Sequence, residues 1–231
     1  MSTAPTAGTR AAAPRPTGRK ELEAIWTRLV IDPLADRLVR PLVGLGWVTP
    51  NRVTAFAGLL AVASAVAFWT GNLALGGILF QVRFVVDCTD GRLARIRGSA
   101  TAWGAALDVF VDTTGVLLNV AALATYAVSA GSTGVDGGEG LAHPALTAAV
   151  VAACGIYCWT LAHRKSLPGG GQRDWLREAT VPDTGAGSLR QRYVAAMARR
   201  GMVPTPYAVE AEAFALTLVP VAAAFLPTTS A

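Results

Sequence analysis

The chain has 231 residues, of which 52% are hydrophobic and 15% charged, with a mean hydropathy of +0.43. So apolar a composition excludes an ordinary soluble domain of this length and predicts an all-α, polytopic membrane helical bundle. The net charge of +5 and isoelectric point near 9.6 fit either a nucleic-acid binder or a membrane protein with one basic face, and the placement of the cations decides between them.

Residues 1–20 are rich in Ala, Pro, Thr and Arg and lack the apolar core of a signal peptide, which predicts a disordered basic tail. From Glu21 to Trp47, Leu22, Trp26, Leu29, Val30, Leu34, Leu38 and Leu42 recur at helical spacing between charged residues, and Asp32-Pro33 offers a restart. This pattern predicts a broken amphipathic helix lying in the membrane interface. Thr49-Pro50 then reads as a helix start, with Thr as N-cap and Pro at the first helical position. It opens a first span over 53–69. A second begins at Leu73 and runs through Val86, a third covers 103–128, a fourth 145–162 and a fifth 207–225. Five spans follow, with the chemistry in 48–130 and the remaining spans and a cytoplasmic loop in 145–227. The thiols of Cys88, Cys154 and Cys158 read as small core residues.

The 20 Lys and Arg residues set the orientation. Eight precede the first span, three (Arg92, Arg95, Arg97) lie between the second and third, eight lie between the fourth and fifth, and the twentieth, Arg83, lies within the second, while the loops at 70–72 and 131–143 contain none. Cytoplasmic loops collect positive charge. The amino terminus and the stretch after the second span are thus expected to face the cytoplasm of a multi-pass cell-membrane protein. That asymmetry accounts for the basic isoelectric point without nucleic acid, since a positive inner face suits anionic lipid and anionic substrates.

Four aspartates fall in this cytoplasm-facing stretch, 87-DCTDGRLARIRGSATAWGAALDVFVD-112. Asp87 lies about 15 residues, roughly 22 Å of helix, from Leu73, short of the ~30 Å hydrocarbon thickness, so it is expected below the inner membrane surface. Asp87, Asp90, Gly91 and Ala94 share one helix face by their spacing, and Gly104, Asp108 and Asp112 share one face of the next helix. Four unpaired carboxylates at membrane depth repel one another and resist burial. Divalent cations resolve the conflict. An all-oxygen set favours Mg²⁺ or Mn²⁺, and two ions would offset four charges. Gly91, Ala94 and Gly104 keep the metal face open, and Arg92, Arg95 and Arg97 offer cations to a phosphate. Phosphoryl-type transfer is the chemistry this arrangement fits.

The pattern D-x2-D-G-x2-A-R-x8-G-x3-D-x3-D, complete at Asp87, Asp90, Gly91, Ala94, Arg95, Gly104, Asp108 and Asp112, resembles the signature of the CDP-alcohol phosphotransferases (CDP-alcohol phosphatidyltransferases). The segment 49-TPNRVT-54 is similar to a second hallmark of that family. The resemblance implies that Asp87, Asp90, Asp108 and Asp112 hold divalent metals against the donor's pyrophosphate, with Asp112 also the general base on the acceptor hydroxyl. It implies that Asn51, Thr54, Gly91, Ala94, Arg95, Thr101 and Gly104 line the CDP-donor site. The donor would be CDP-diacylglycerol or another CDP-alcohol, the acceptor a small alcohol or phosphorylated polyol, and the product a phospholipid precursor with release of CMP. It further implies homodimers and six spans, one more than hydropathy gives here. Thr113-Thr114-Gly115 lack the basic residue expected there in the glycerol-phosphate and inositol-phosphate branches, which leaves the acceptor open.

Several residues keep two readings. Arg83, four residues before Asp87 on the same face, either pairs with that carboxylate, contacts a substrate phosphate, or merely packs. Arg164-Lys165 serve as a positive-inside anchor or bind an acceptor phosphate. Glu210 and Glu212 read as interfacial residues, and His143 and His163 have no partner at ligand or triad spacing. The rival classes are an intramembrane aspartate-metal prenyltransferase, whose two motifs normally lie far apart in a longer chain, a divalent-cation transporter, and a non-catalytic relative.

Overall fold

A computed structural model describes residues 18–20, 23–132, 189–202 and 208–225. Among these residues every regular element is helical, and the sole β contact is an isolated parallel bridge between Glu23 and Met202. The elements are α1 (Asp32–Gly44), preceded by a π-helical turn Thr27–Ile31, α2 (Pro50–Trp69), α3 (Leu73–Arg97), α4 (Ala102–Ser132), α5 (Leu189–Arg199), α6 (Ala208–Ala213) and α7 (Val219–Phe225), with a second π-helical turn Phe214–Leu218 joining α6 to α7. The predicted fourth span, Arg164, Lys165, Cys154, Cys158, His143, His163 and the tail over 1–17 lie outside the described residues.

Local chemistry explains the boundaries. Thr49 is the N-cap of α2, its hydroxyl accepting from the Arg52 amide at 3.4 Å, and Pro50 at the first position needs no amide partner. Asn72 caps α3 by accepting from the Leu75 amide. Gly98, at φ +60°, ends α3 in the left-handed conformation that a side chain resists. Before Pro33 the helix widens into its π turn, where the Asp32 amide bonds Thr27 rather than a carbonyl four residues back. The expected break at Asp32-Pro33 is therefore a bulge in a continuing helix.

The spans expected over 53–69, 73–86 and 103–128 coincide with the helices α2, α3 and α4, of which α2 and α4, but not α3, have the length and apolar composition of a membrane span. The second runs on through the aspartate stretch as one helix of 25 residues, roughly 37 Å long. The expected fifth span corresponds to α6, the second π turn and α7. By length and composition, α2 and residues Ala102–Ser129 of α4 are each able to cross a membrane, and Phe214–Phe225 is a shorter apolar helix. The outward faces carry Phe56, Leu59, Val62 and Val66 on α2, Ile78 on α3, and Val109, Phe110 and Leu117 on α4, all more than half exposed. Inward, α2 presents Ala57, Ala61, Ser64 and Ala65. Apolar residues outside and small residues between helices are the arrangement a bilayer solvent selects. The chain is an all-α membrane bundle.

Packing centres on α2 and α3. A core of Phe68, Leu73, Phe80, Val116, Leu123, Leu216 and Ala223 joins α2, α3, α4, the second π turn and α7. A buried polar knot pins the helices at mid-length. Ser64 Oγ lies 2.8 Å from the Gly76 carbonyl and 2.6 Å from Asn119 Oδ1, while Asn119 Nδ2 donates to the Ala61 and Gly115 carbonyls at 3.0 and 2.8 Å. α2 packs along both α3 and α4, whose own backbones approach each other far less. The space left between α3 and α4 is where the carboxylates meet.

α1 lies against α3 and divides its residues between that helix and the outside, as an amphipathic helix does. Ile31, Ala35 and Val39 are buried with Asp32 and Asp36, whereas Leu29, Leu34 and Leu38 point outward. The carboxylates face inward because α3 supplies a cation: Arg92 ion-pairs with both Asp32 and Asp36, and Arg28 and Arg19 add to the cluster. A buried guanidinium bonded to two carboxylates offsets the cost of placing those charges inside.

Candidate active site

The motif residues converge at the cytoplasm-predicted ends of α3 and α4. Asp87 and Asp90, one turn apart on α3, and Asp108 on α4 bring one carboxylate oxygen each within 4.8 Å of one another. Asp90 is buried and accepts a hydrogen bond from the Thr54 hydroxyl on α2, which also donates to the Pro50 carbonyl at 3.2 Å. Thr54 thus ties the capped start of α2 to the carboxylate cluster. Asp87 Oδ1 is buried with no hydrogen-bond partner among the described residues.

That orphan oxygen tests the metal expectation. A buried carboxylate oxygen with nothing donating to it, beside two further carboxylates, is costly unless a cation occupies the space. The donors are all oxygen, so the set fits a hard divalent ion and offers nothing thiophilic. Asp112 is not one of the three whose oxygens meet within 4.8 Å. It lies one turn beyond Asp108, its side chain 41% exposed, and is ion-paired to Arg83 of α3. Arg83 therefore pairs with Asp112 across the gap, not with Asp87 along its own helix.

The other predicted donor-site residues gather at one rim. A Cβ on Gly104 would lie 3.1 Å from Thr101 Oγ1 and 3.3 Å from Asn51 Oδ1, so a larger residue there would have to push one of these side chains aside. Thr101 also caps α4, accepting from the Gly104 amide at 3.0 Å. A Cβ on Gly91 would meet the Arg95 guanidinium at 3.2 Å, and Ala94 is half-buried one turn along the same face. Arg95 Nε donates to the Gly18 carbonyl at 2.6 Å, bringing the chain before α1 to the edge of the site.

Two of the three arginines expected to serve a phosphate are committed elsewhere. Arg92 is enclosed by Asp32 and Asp36. Arg97 donates to the carbonyls of Leu42, Val43, Leu45 and Val48, tying the end of α1 to α3. Glu210 also has a structural task, accepting from the Trp26 amide at 3.1 Å. The contribution of Asp32 and Asp36 escapes a periodicity reading, because their partner sits 56–60 positions away in sequence.

The class this defines is an all-α membrane bundle that gathers carboxylates from two helices, an all-oxygen donor set that could hold a metal ion. The chain belongs to the CDP-alcohol phosphatidyltransferase family, whose model matches residues 47–170, more than half of its length and the whole of the motif. It is 34% identical over 77 residues to the archaetidylinositol phosphate synthase of Pyrococcus horikoshii, covering 33% of this chain and 40% of that protein. It is 37% identical over 84 residues to the phosphatidylinositol phosphate synthase of Mycobacteroides abscessus, covering 36% of each. A bifunctional IPC transferase and DIPP synthase of Aquifex aeolicus is 41% identical over 64 residues, 28% of this chain and 15% of that protein. The chain thus spans 36–40% of the length of the first two relatives. The prenyltransferase and cation-transporter alternatives gain no support from these matches.

Proposed function

We propose that this protein transfers a substituted phosphate group from a CDP-linked donor to an alcohol, releasing CMP, as a transferase of phospholipid biosynthesis. The donor is CDP-diacylglycerol and the acceptor a phosphorylated polyol, in keeping with the names of the inositol-phosphate-type synthases it resembles. The observation that carries the reading is the meeting of Asp87, Asp90 and Asp108 oxygens within 4.8 Å, inside the complete family motif.

Asp87, Asp90 and Asp108 would hold two Mg²⁺ or Mn²⁺ ions, with Asp112 at the edge of the set. When bound, such ions neutralise pyrophosphate charge and stabilise the departing CMP. The chain's own residues do the rest. Thr54 fixes the Asp90 carboxylate, and Arg95, Asn51, Thr101 and the open faces of Gly91, Ala94 and Gly104 receive the CDP portion. Asp112 takes the proton of the acceptor hydroxyl as that oxygen attacks the phosphorus attached to diacylglycerol. The new P–O bond forms as the bond to the CMP oxygen breaks, and CMP leaves with that electron pair. Positioning and electrostatic stabilisation supply most of the rate.

The positive-inside pattern supports a multi-pass cell-membrane protein whose site faces the cytoplasm, where a soluble nucleotide product can leave. Arg164 and Lys165, placed by sequence at the same face, are available to an acceptor phosphate. A homodimer is in keeping with the family. The test is CMP release by purified protein from CDP-diacylglycerol with Mg²⁺ or Mn²⁺, using inositol phosphate, glycerol 3-phosphate, serine and inositol in turn. Turnover restricted to phosphorylated polyols supports the reading, and turnover with serine or inositol alone contradicts the acceptor class.

A further inference from the structure

Arg83, with Arg92, is the largest of the fully buried side chains among the described residues, placed on α3 one turn before Asp87. Its Nη2 bonds the Asp112 carboxylate and approaches the Asp112 carbonyl at 3.3 Å, and its guanidinium lies 5.4 Å from the Phe80 ring centroid. Nε and Nη1 are buried with no partner among the described residues. Where stability alone is at stake, an apolar residue of similar volume serves such a position as well or better. An arginine that leaves two donors unsatisfied in an apolar bundle instead calls for a functional use.

Its geometry supplies one. Three motif carboxylates converge, while the fourth, Asp112, is tied to Arg83 by both its side chain and its own peptide carbonyl. The pair bridges α3 and α4, whose backbones otherwise keep apart. It still leaves the Asp112 side chain 41% exposed, so the arginine does not close the carboxylate off. We propose that Arg83 is a positioning residue for Asp112, holding its carboxylate aside from the metal-binding trio and aimed at the acceptor. The inference rests on the transferase reading above and adds to it the means by which four like carboxylates take two different roles.

The test uses the full-length protein and four variants: Arg83→Gln, Arg83→Lys, Asp112→Asn and the Arg83→Gln/Asp112→Asn double variant. CMP release is measured with CDP-diacylglycerol and each of the four acceptors, alongside thermal unfolding of the same samples. Misaiming a base lowers turnover more than donor binding, so kcat of Arg83→Gln should fall at least about tenfold with donor KM within about twofold of the parent. Arg83→Lys, which keeps the charge without the planar fork, should fall between parent and Arg83→Gln. Because both residues act through one group, the double variant should turn over within about threefold of Asp112→Asn alone. Parental kcat in Arg83→Gln, a change confined to KM, or losses that multiply in the double variant would each overturn the inference while leaving the transferase reading intact. If Arg83→Gln does not accumulate as folded protein, Arg83→Lys decides: parental kcat overturns the inference and a lowered kcat at unchanged KM supports it. Absence of CMP release from the parent with every acceptor, while the unfolding cycle shows the pair coupled, overturns the transferase reading and this inference with it.

Discussion

Single side chains in the site have separable tasks. If Asp112 takes the acceptor's proton, Asp112→Asn lowers kcat by about 100-fold or more, the usual contribution of a positioned general base. Thr54 has no chemistry of its own, yet it is the hydroxyl that Asp90 accepts from. Removing a hydrogen bond to a charged group costs about 1.5–3 kcal/mol. Thr54→Val is therefore expected to weaken Mg²⁺-dependent turnover roughly tenfold or more, and Thr54→Ser to retain most of it, as read from the dependence of CMP release on metal concentration. The carboxylates were legible in the sequence because spacing of three and four residues is itself a statement about helix faces. Arg83 was only half legible. Its spacing to Asp87 placed both on one face of α3, but which carboxylate it meets is settled by how α4 lies across α3, and no local pattern carries that.

Helices show where periodicity succeeds and where it fails. α2 and α4 are legible nearly to their ends as apolar runs, the first opened by Thr49-Pro50, whereas α3 continues past its apolar run at Val86 to Arg97 before Gly98 ends it. α1 was readable as a helix but not in orientation. Its leucine stripe fits a face turned to the membrane interface, but the pattern does not show that Asp32 and Asp36 lie inside because Arg92 meets them there. Removing one partner strands buried charge, so Arg92→Gln should lower the stability of the detergent-purified protein by about 3–5 kcal/mol. Arg37→Gln, at an exposed position of α1, should change it by no more than about 0.5 kcal/mol. Thermal unfolding compares the two. The cluster also sets an acid limit. Burial acts to raise the Asp36 carboxyl, but hydrogen bonds from Arg19 and Arg92 and their charges outweigh it and hold the group below its ordinary value of 3.8. A depressed carboxylate stabilises the fold above that ordinary value, and the contribution is lost as pH falls through the lower folded value. Unfolding followed from neutral pH downwards should therefore show less acid destabilisation in Asp36→Asn than in the parent.

Across the whole molecule, the account joins a membrane orientation to a site at one end of the bundle. Outward apolar faces and inward small residues fix the bilayer as solvent, and the positive charges choose the side. In a background with Cys88, Cys154 and Cys158 replaced, a cysteine at Thr70 should react with an impermeant thiol reagent only from outside the cell. One at Ser99 should react only from the cytoplasmic side; the reverse pattern would invert the topology. The fold class and family motif could be read before any coordinates, since composition and eight fixed positions suffice. The division of the four carboxylates could not, because it depends on the distance between two helices. The most direct measurement is CMP release from CDP-diacylglycerol by purified protein with inositol phosphate, before and after chelation of divalent metal and with Asp90→Asn alongside. The account predicts turnover that chelation abolishes, that added Mg²⁺ or Mn²⁺ restores, and that Asp90→Asn lacks. Metal-independent release, or parental turnover in Asp90→Asn, would contradict it.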